Sequence, residues 1–404
     1  MKILMILHFV PYPPHGGSLQ RTFNLLREAS KGNDIHLVAL SQKALHPEDK
    51  TLSEAIGALE EFCNSVTVFP IPSDASKLRW YSLLLLNLLS REPYSVWRFK
   101  SPDMAEMIQS LAAAHKFDLV HLDTVELAQY AHLAPGVPTV VNHHNVESSL
   151  LLRRATSEGN SLVRLYLGFQ GCKLKRYEQE HAPRFTANLA VSQNDKELFE
   201  SYIPKARFEV VANGTDEEYF TPTGASAGKE LVFVGGMNWY PNRDAMIHFC
   251  EDIFPLIKKQ VPDTIMNVVG GFPPRRVLAC SEKDPSIKVH GYVEDMRVYL
   301  ARSAVYVVPI RIGGGTRLKI LDAFACGKAV VSSAVGCEGI QAIPGRDILV
   351  GDTPDEFAAQ VVRLLNDHSL RQSLEVNARK VAEEKYSWQV IGKILRDVYQ
   401  SVIR

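Results

Sequence analysis

The sequence predicts an α/β protein made of two Rossmann-like, doubly wound parallel-sheet domains facing across a cleft. Three observations carry this expectation. Short apolar runs alternate with amphipathic stretches, the β-α-β order that a parallel sheet requires. The alternation restarts after Asn213-Gly214, so the pattern is written twice. The length of 404 residues also suits two or three domains of about 150 residues each.

Ile3 to Val10 is continuously apolar except at His8, as expected of a parallel strand covered on both faces. The run is short and leads into Pro11-Tyr12-Pro13-Pro14 without a small-residue cleavage site, so it reads as a strand and not as a signal peptide. After Gly16-Gly17, Ser18 is placed to cap a helix whose apolar face is Leu19, Phe23 and Leu26. Gly32 stops that helix, and Ile35–Leu40 is the next strand. Further strands are expected at Ser65–Phe69, Phe117–Leu122, Thr139–Asn142, Ala187–Val191 and Glu209–Ala212. The leucine-rich run from Arg79 to Lys100 is apolar nearly all round. It reads as a buried core helix in preference to a membrane-facing or acceptor-facing patch. In the second half, strands are expected at Leu231–Val234, Thr264–Val269, Ile287–His290, Val305–Pro309, Ala329–Ser332 and Ile348–Val350. Helices are expected over 242–258, 295–302 and 316–326, and the chain is almost wholly helical from Pro354 onward.

Composition removes several function classes. Lys plus Arg and Asp plus Glu both number 45, so no overall field favours nucleic acid. The six cysteines form no C-x-x-C pair or Cys/His cluster, which argues against structural zinc and for a reducing compartment. No Asp-x-Asp pair is present to hold a divalent cation on a diphosphate. No stretch reaches the ~18 apolar residues of a membrane span. The expected location is cytoplasmic, with peripheral attachment to the inner face of the plasma membrane left open.

The segment Ile310 to Gly327 carries the most chemistry. A strand ends, Gly313, Gly314 and Gly315 allow close backbone approach, Thr316 is placed to cap a helix, and Gly327 ends it. Arg317 and Lys319 would then fall in the first turn, where cations oppose the helix dipole by roughly 0.3–1 kcal/mol each. An anion bound there reverses the sign, and a nucleotide diphosphate is the obvious candidate. Asp322 lies on the same face as Lys319 and could accept hydrogen bonds from ribose hydroxyls. Gly16 and Gly17 could approach a diphosphate or an acceptor in the same way. At the end of the strand Thr139–Asn142, His143 and His144 alternate in direction, so both cannot enter one site; this argues against a His-His metal centre.

These segments, taken in order, resemble the retaining nucleotide-sugar glycosyltransferases of family 4, which have the GT-B fold. The resemblance rests on Gly16-Gly17, Val191-Ser192, Asn213-Gly214-Thr215-Asp216 with Phe220-Thr221-Pro222, and Phe233-Val234-Gly235-Gly236. It continues through His290-Gly291-Tyr292-Val293, Leu321–Gly327, Gly336-Cys337-Glu338-Gly339 and Tyr386-Ser387-Trp388. It implies an acceptor-side domain over 1–214, a nucleotide-sugar domain over 215–385 and a final helix, 386–404, packing back on the first. It implies catalytic roles for His144, Arg317 and Lys319, with His144 approaching the donor sugar. Donor contacts are expected from Gly16, Gly17, Gly235, Gly236, Asn238, Tyr292, Gly313, Gly314, Gly315, Thr316 and Asp322. Asn145 and Glu147 are expected on the acceptor side.

Two departures stand out. Members of the family usually carry two glutamates around this helix, where this chain has Gly314 and Asp322. Many also place an Arg after the glycine that corresponds to Gly235 and a Lys a few residues on; this chain has Gly236 and Met237-Asn238-Trp239-Tyr240. Arg317 and Lys319 are therefore expected to supply most of the charge neutralisation, without a metal or other cofactor. The expected reaction is sugar transfer from a nucleotide-diphosphate sugar to an acceptor hydroxyl, in surface polysaccharide or glycolipid assembly. The acceptor would be a sugar, a glycolipid or a lipid-linked saccharide. The alternatives are a non-catalytic GT-B-fold partner subunit and a Rossmann-type oxidoreductase. Against the latter, no G-x-G-x-x-G turn follows the first strand and no acid ends the strand Ile35–Leu40.

Overall fold

The computed structural model describes residues 1–14, 16–222, 228–313 and 315–403, apart from the side chain of Ser157. The chain divides into two compact units, Met1–Ala212 together with Ile391–Arg404, and Asn213–Val390. The boundaries thus fall at 212/213 and 390/391, where the sequence had suggested 214/215 and 385/386.

The first unit holds a seven-stranded sheet in the order β3-β2-β1-β4-β5-β6-β7. Its strands are β1 (Lys2–Leu7), β2 (Asp34–Ser41), β3 (Ser65–Pro70), β4 (Leu119–Leu122), β5 (Thr139–Asn142), β6 (Ala187–Ala190) and β7 (Phe208–Val210). All neighbouring pairs are parallel. Ile3 to Leu7 are all buried, because helices cover both faces of the sheet. The first helix starts at Gly17, with Gly16 (φ 109°) at its N-cap, so Ser18 lies inside the helix and does not cap it. The carboxyl ends of β1, β4 and β5 lie side by side, and the reversal of strand order falls between β1 and β4.

The second unit repeats this plan with β8 (Glu230–Val234), β9 (Ile265–Val269), β10 (Ile287–Gly291), β11 (Val305–Val308), β12 (Ala329–Ser332) and β13 (Leu349–Val350). Their order is β10-β9-β8-β11-β12-β13, again all parallel. The helix expected over 242–258 runs as Tyr240–His248, a wide turn at Phe249–Ile253, and Phe254–Gln260. Pro255 explains the interruption, since it has no N–H to close a regular turn. Thr215 exchanges backbone hydrogen bonds with Tyr386 and Trp388 at 2.7 and 3.3 Å. Gly214 is obligatory beside them: a Cβ there would meet the Trp388 ring at 2.6 Å.

The leucine-rich run bears out the expectation of a buried core helix only in part: it folds as two helices, Lys77–Asn87 and Tyr94–Arg98, and Val96 and Phe99 of its second part join the core. The helix Lys77–Asn87 and the turn after it leave Leu78, Tyr81, Leu85, Leu86, Leu88 and Leu89 exposed. Its inward contacts come from Trp80, whose ring lies 6.2 Å from that of Tyr94, and from the fully buried Asn87. A stretch apolar on all sides needs covering on all sides, and only one side of this helix meets the rest of the unit. Among the described residues, no helix is long and apolar enough to cross a membrane.

Candidate functional site

In the second unit the polar loops follow the carboxyl ends of β8 and β11, on either side of the reversal in strand order. Gly235 and Gly236 follow β8, and the Gly235 N–H donates to the Val269 carbonyl at 2.9 Å. Beside them Lys319 donates to Asn242 Oδ1 at 2.7 Å, while Asn242 Nδ2 donates to the Gly236 carbonyl at 2.8 Å. Asn242 therefore ties the cation to the glycine loop. A Cβ on Gly235 would lie 2.5 Å from the Lys319 ammonium, so the glycine makes room for the charge. The ammonium also lies 4.2 Å from the centre of the Phe233 ring. Burial, with Arg317 nearby, pushes the Lys319 pKa down from 10.5 to about 7. Near neutral pH this lysine is divided between its charged and neutral forms, and an anionic ligand would restore its proton.

The helix of this segment spans Leu318–Ala325. Thr316 does not cap it: Arg317 occupies the N-cap position in an extended conformation, and no side chain caps the helix. Gly313 (φ 134°) and Gly315 (φ 73°) hold the chain in left-handed backbone that delays the helix start by two residues. Thr316 is buried, and its carbonyl accepts from Asn213 Nδ2 at 3.4 Å. Arg317 folds back so that a Cβ on Gly313 would meet its Nη2 at 2.5 Å. Lys319 stays in the first turn, where the helix dipole adds to the cost of its charge in the absence of an anion. Gly314 lies outside the described residues.

Asp322 is 7% exposed, and its carboxylate accepts from the Thr215 hydroxyl at 2.8 Å. Burial raises its pKa from 3.8 to about 7 against the pull of that hydrogen bond. Asn238 Oδ1 accepts from the Trp239 N–H at 3.1 Å, and Tyr292 is largely exposed beyond the end of β10. Arg243 stacks over Tyr240 on its own helix and is exposed.

In the first unit, His8, Asp123 and His144 come from the ends of β1, β4 and β5. His144 Nε2 lies 3.2 Å from Asp123 Oδ2, and His8 Nδ1 lies 3.5 Å from the same oxygen. An ionised carboxylate only accepts, so His144 presents Nε2–H to it. Asp123 is buried and also accepts from the Thr22 hydroxyl at 2.9 Å and from Asn142 Nδ2 at 2.9 Å. Burial alone would raise its pKa; the two imidazoles hold it well below the usual carboxylate range. His143 points the other way, to Asn188 Oδ1 at 3.2 Å, and burial lowers its pKa to about 4. The alternation expected of the two histidines is thus present. Gly16 and Gly17 begin the helix that supplies Thr22. Asn145 Nδ2 donates to Glu147 Oε1 at 3.1 Å, and burial beside Glu126 raises the pKa of Glu147.

His8, Asp123 and His144 each offer one ligand atom within 4.8 Å of the others, a grouping able to hold a metal ion. Three donors, Thr22, Asn142 and His144, engage the carboxylate, while His8 Nδ1 approaches it without a hydrogen bond. Sequence reasoning missed His8, Asp123, Thr215 and Asn242 as members of these clusters. Asp123 was within its reach, since it follows a buried strand at the same end as His144.

The chain matches two family descriptions: "Glycosyltransferase Family 4" over residues 15–219 and "Glycosyl transferases group 1" over residues 228–367. An uncharacterised 44.6 kDa protein in the cps region of Klebsiella pneumoniae is 21% identical, over 98% of this chain and 99% of that protein. A GDP-mannose-dependent monoacylated alpha-(1-6)-phosphatidylinositol monomannoside mannosyltransferase of Corynebacterium glutamicum is 25% identical, over 48% of this chain and 56% of that one. Among solved structures, the sucrose-phosphate synthase of Thermosynechococcus elongatus superposes with a TM-score of 0.71 at 15% identity, covering 100% and 99% of the two chains. Alr3699/HepE of Anabaena, in complex with UDP, superposes with a TM-score of 0.69 at 15% identity, covering 99% and 100%. These neighbours share the fold of two Rossmann-like halves.

Proposed function

The chain belongs to glycosyltransferase family 4, and from that premise we propose that it moves a sugar, with retained anomeric configuration, from a nucleotide-diphosphate sugar to an acceptor hydroxyl. One observation carries the reading of the donor site: Lys319 is held at the glycine loop after β8 with its pKa drawn down to about 7. A cation kept there at an energetic cost is explained by an anion that offsets the cost when bound. Arg317 and Lys319 take the diphosphate. As the glycosidic bond breaks, they stabilise the charge that develops on the leaving group, the role a metal has in other transferases. Gly235 leaves room for the Lys319 ammonium, and the backbone N–H groups at Gly236, Gly313, Gly314 and Gly315 assist, with Asn238, Tyr292 and Thr316 around the nucleotide sugar. Asp322, oriented by Thr215, serves the ribose.

His144 orients the donor sugar, and Asp123 fixes its ring. Asn145 and Glu147 serve the acceptor, and Gly16 and Gly17 offer backbone N–H groups to a diphosphate or to the acceptor. The acceptor is a sugar, a glycolipid or a lipid-linked saccharide, and the pathway is surface polysaccharide or glycolipid assembly. The likeness to the Corynebacterium phosphatidylinositol monomannoside mannosyltransferase supports a glycolipid acceptor.

The test is calorimetric titration with UDP- and GDP-sugars, paired with an assay for released nucleotide diphosphate. Arg317→Ala and Lys319→Ala should each weaken donor binding and abolish transfer while thermal melting stays cooperative. Unchanged titrations in both variants would refute the donor-site assignment. Binding without release across a panel of donors and acceptors would favour the non-catalytic partner reading, which Gly314 in place of the family's acid motivates.

A further inference from the structure

We propose that the helix Lys77–Asn87 and the start of the helix Ser161–His181 form a docking surface for a lipid bilayer carrying anionic headgroups. On the first helix Leu78, Tyr81, Leu85 and Leu88 recur at intervals of three and four residues, so they form one stripe. Leu78 is 79% exposed and Leu89, in the turn that follows, is 90% exposed. On the second helix Leu162, Leu165 and Phe169 form a similar exposed stripe. The two helices meet within the first unit: Asn87 Oδ1 accepts from Gln170 Nε2 at 3.0 Å, and the Asn87 carbonyl accepts from Lys173 Nζ at 2.7 Å. Exposed apolar stripes of this kind are uncommon on a protein without a partner for them.

Charge decides which partner. The whole chain balances its acids and bases, yet residues 76–91 carry Lys77, Arg79 and Arg91, all exposed, and no acid. On the second helix Arg164 is the exposed base beside the stripe, while Lys173 is buried against Asn87. An apolar stripe flanked by bases matches the boundary between acyl chains and anionic headgroups. A second copy of the chain fits less well, because a twofold contact would set these like charges against one another. The helix would lie in the plane of the interface, since its inward face is already occupied by Trp80 and Asn87. This placement does not depend on the donor-site reading.

Flotation of the full chain with vesicles tests it, comparing phosphatidylcholine alone with mixtures containing about 30% phosphatidylglycerol. The chain should float with the anionic vesicles and stay behind with the neutral ones, and its binding should weaken as salt rises. Leu85→Glu/Leu89→Glu should lower the bound fraction at least about tenfold, and Lys77→Glu/Arg79→Glu should remove the preference for anionic lipid. All four positions are exposed, so both variants should keep the wild-type melting curve and nucleotide-sugar titration. Equal flotation with both vesicle types, retention of the Leu85→Glu/Leu89→Glu variant, or a dimer in sedimentation that this variant abolishes would each overturn the proposal.

Discussion

Lys319 offers a sharp perturbation, because its proton and the donor's charge are linked. If donor binding requires the ammonium, affinity follows the protonated fraction of the unliganded protein. With a pKa of about 7, that fraction is about nine-tenths at pH 6 and about 3% at pH 8.5, so affinity should fall about 30-fold between them. A nucleotide-diphosphate sugar is the proper probe, since its phosphates do not titrate in this window. Calorimetry in buffers of different ionisation enthalpy should show proton uptake that grows with pH. Lys319→Arg keeps its charge throughout, and its affinity should be nearly flat with pH. The effect on folding has a definite sign as well. Below about pH 7 the lysine is charged in the folded and unfolded chains alike, and the cost of burying that charge is fully present. Between about 7 and 10.5 the unfolded chain holds more protons, so this residue makes stability rise with pH. A wild-type affinity that changes less than about twofold from pH 6 to 8.5, with no proton uptake, would refute the reasoning.

Three further outcomes are expected. His144→Ala and Asp123→Asn should lower turnover about tenfold or more while leaving donor affinity almost unchanged, read as kcat against Kd; equal losses would point to a purely structural role. Gly235→Ala should weaken donor binding by about 1–2 kcal/mol with little change in melting temperature, because the new methyl group displaces the Lys319 ammonium, the far end of a flexible chain. Asp322→Asn keeps the acceptor for Thr215 and removes a carboxyl whose folded pKa is raised. Wild-type stability should fall by about 2–4 kcal/mol more than that of the variant as pH rises from about 4 through 7, measured by denaturant titration at several pH values.

Much of the architecture was legible in local pattern. Continuous apolar runs such as Ile3–Leu7 and Val305–Val308 announced parallel strands because a strand covered on both faces admits no polar side. The period of two along Asn142-His143-His144 placed the histidines on opposite sides, and they point to Asn188 and Asp123 respectively. Glycines beside bases drew attention to the segment 313–319, where Arg317 lies against Gly313 and Lys319 against Gly235.

What pattern could not show was which separated residues meet. The leucines of 78–89 announced themselves as apolar, but apolarity does not say whether a covering surface exists; only the packed unit left that face bare. The start of the helix at Leu318 was decided by the positive φ of Gly313 and Gly315, which depends on how the loop closes and not on capping preference. The gathering of His8, Asp123 and His144 needed the sheet order that sets β1, β4 and β5 side by side, and Asn242 found Lys319 across 77 residues of chain. Sequence alone thus determined where strands and helices form and which loops carry charge, because those depend on neighbours along the chain. Tertiary structure alone decided the partners, the burial and hence the pKa of each functional group, because desolvation is set by everything that packs around a charge.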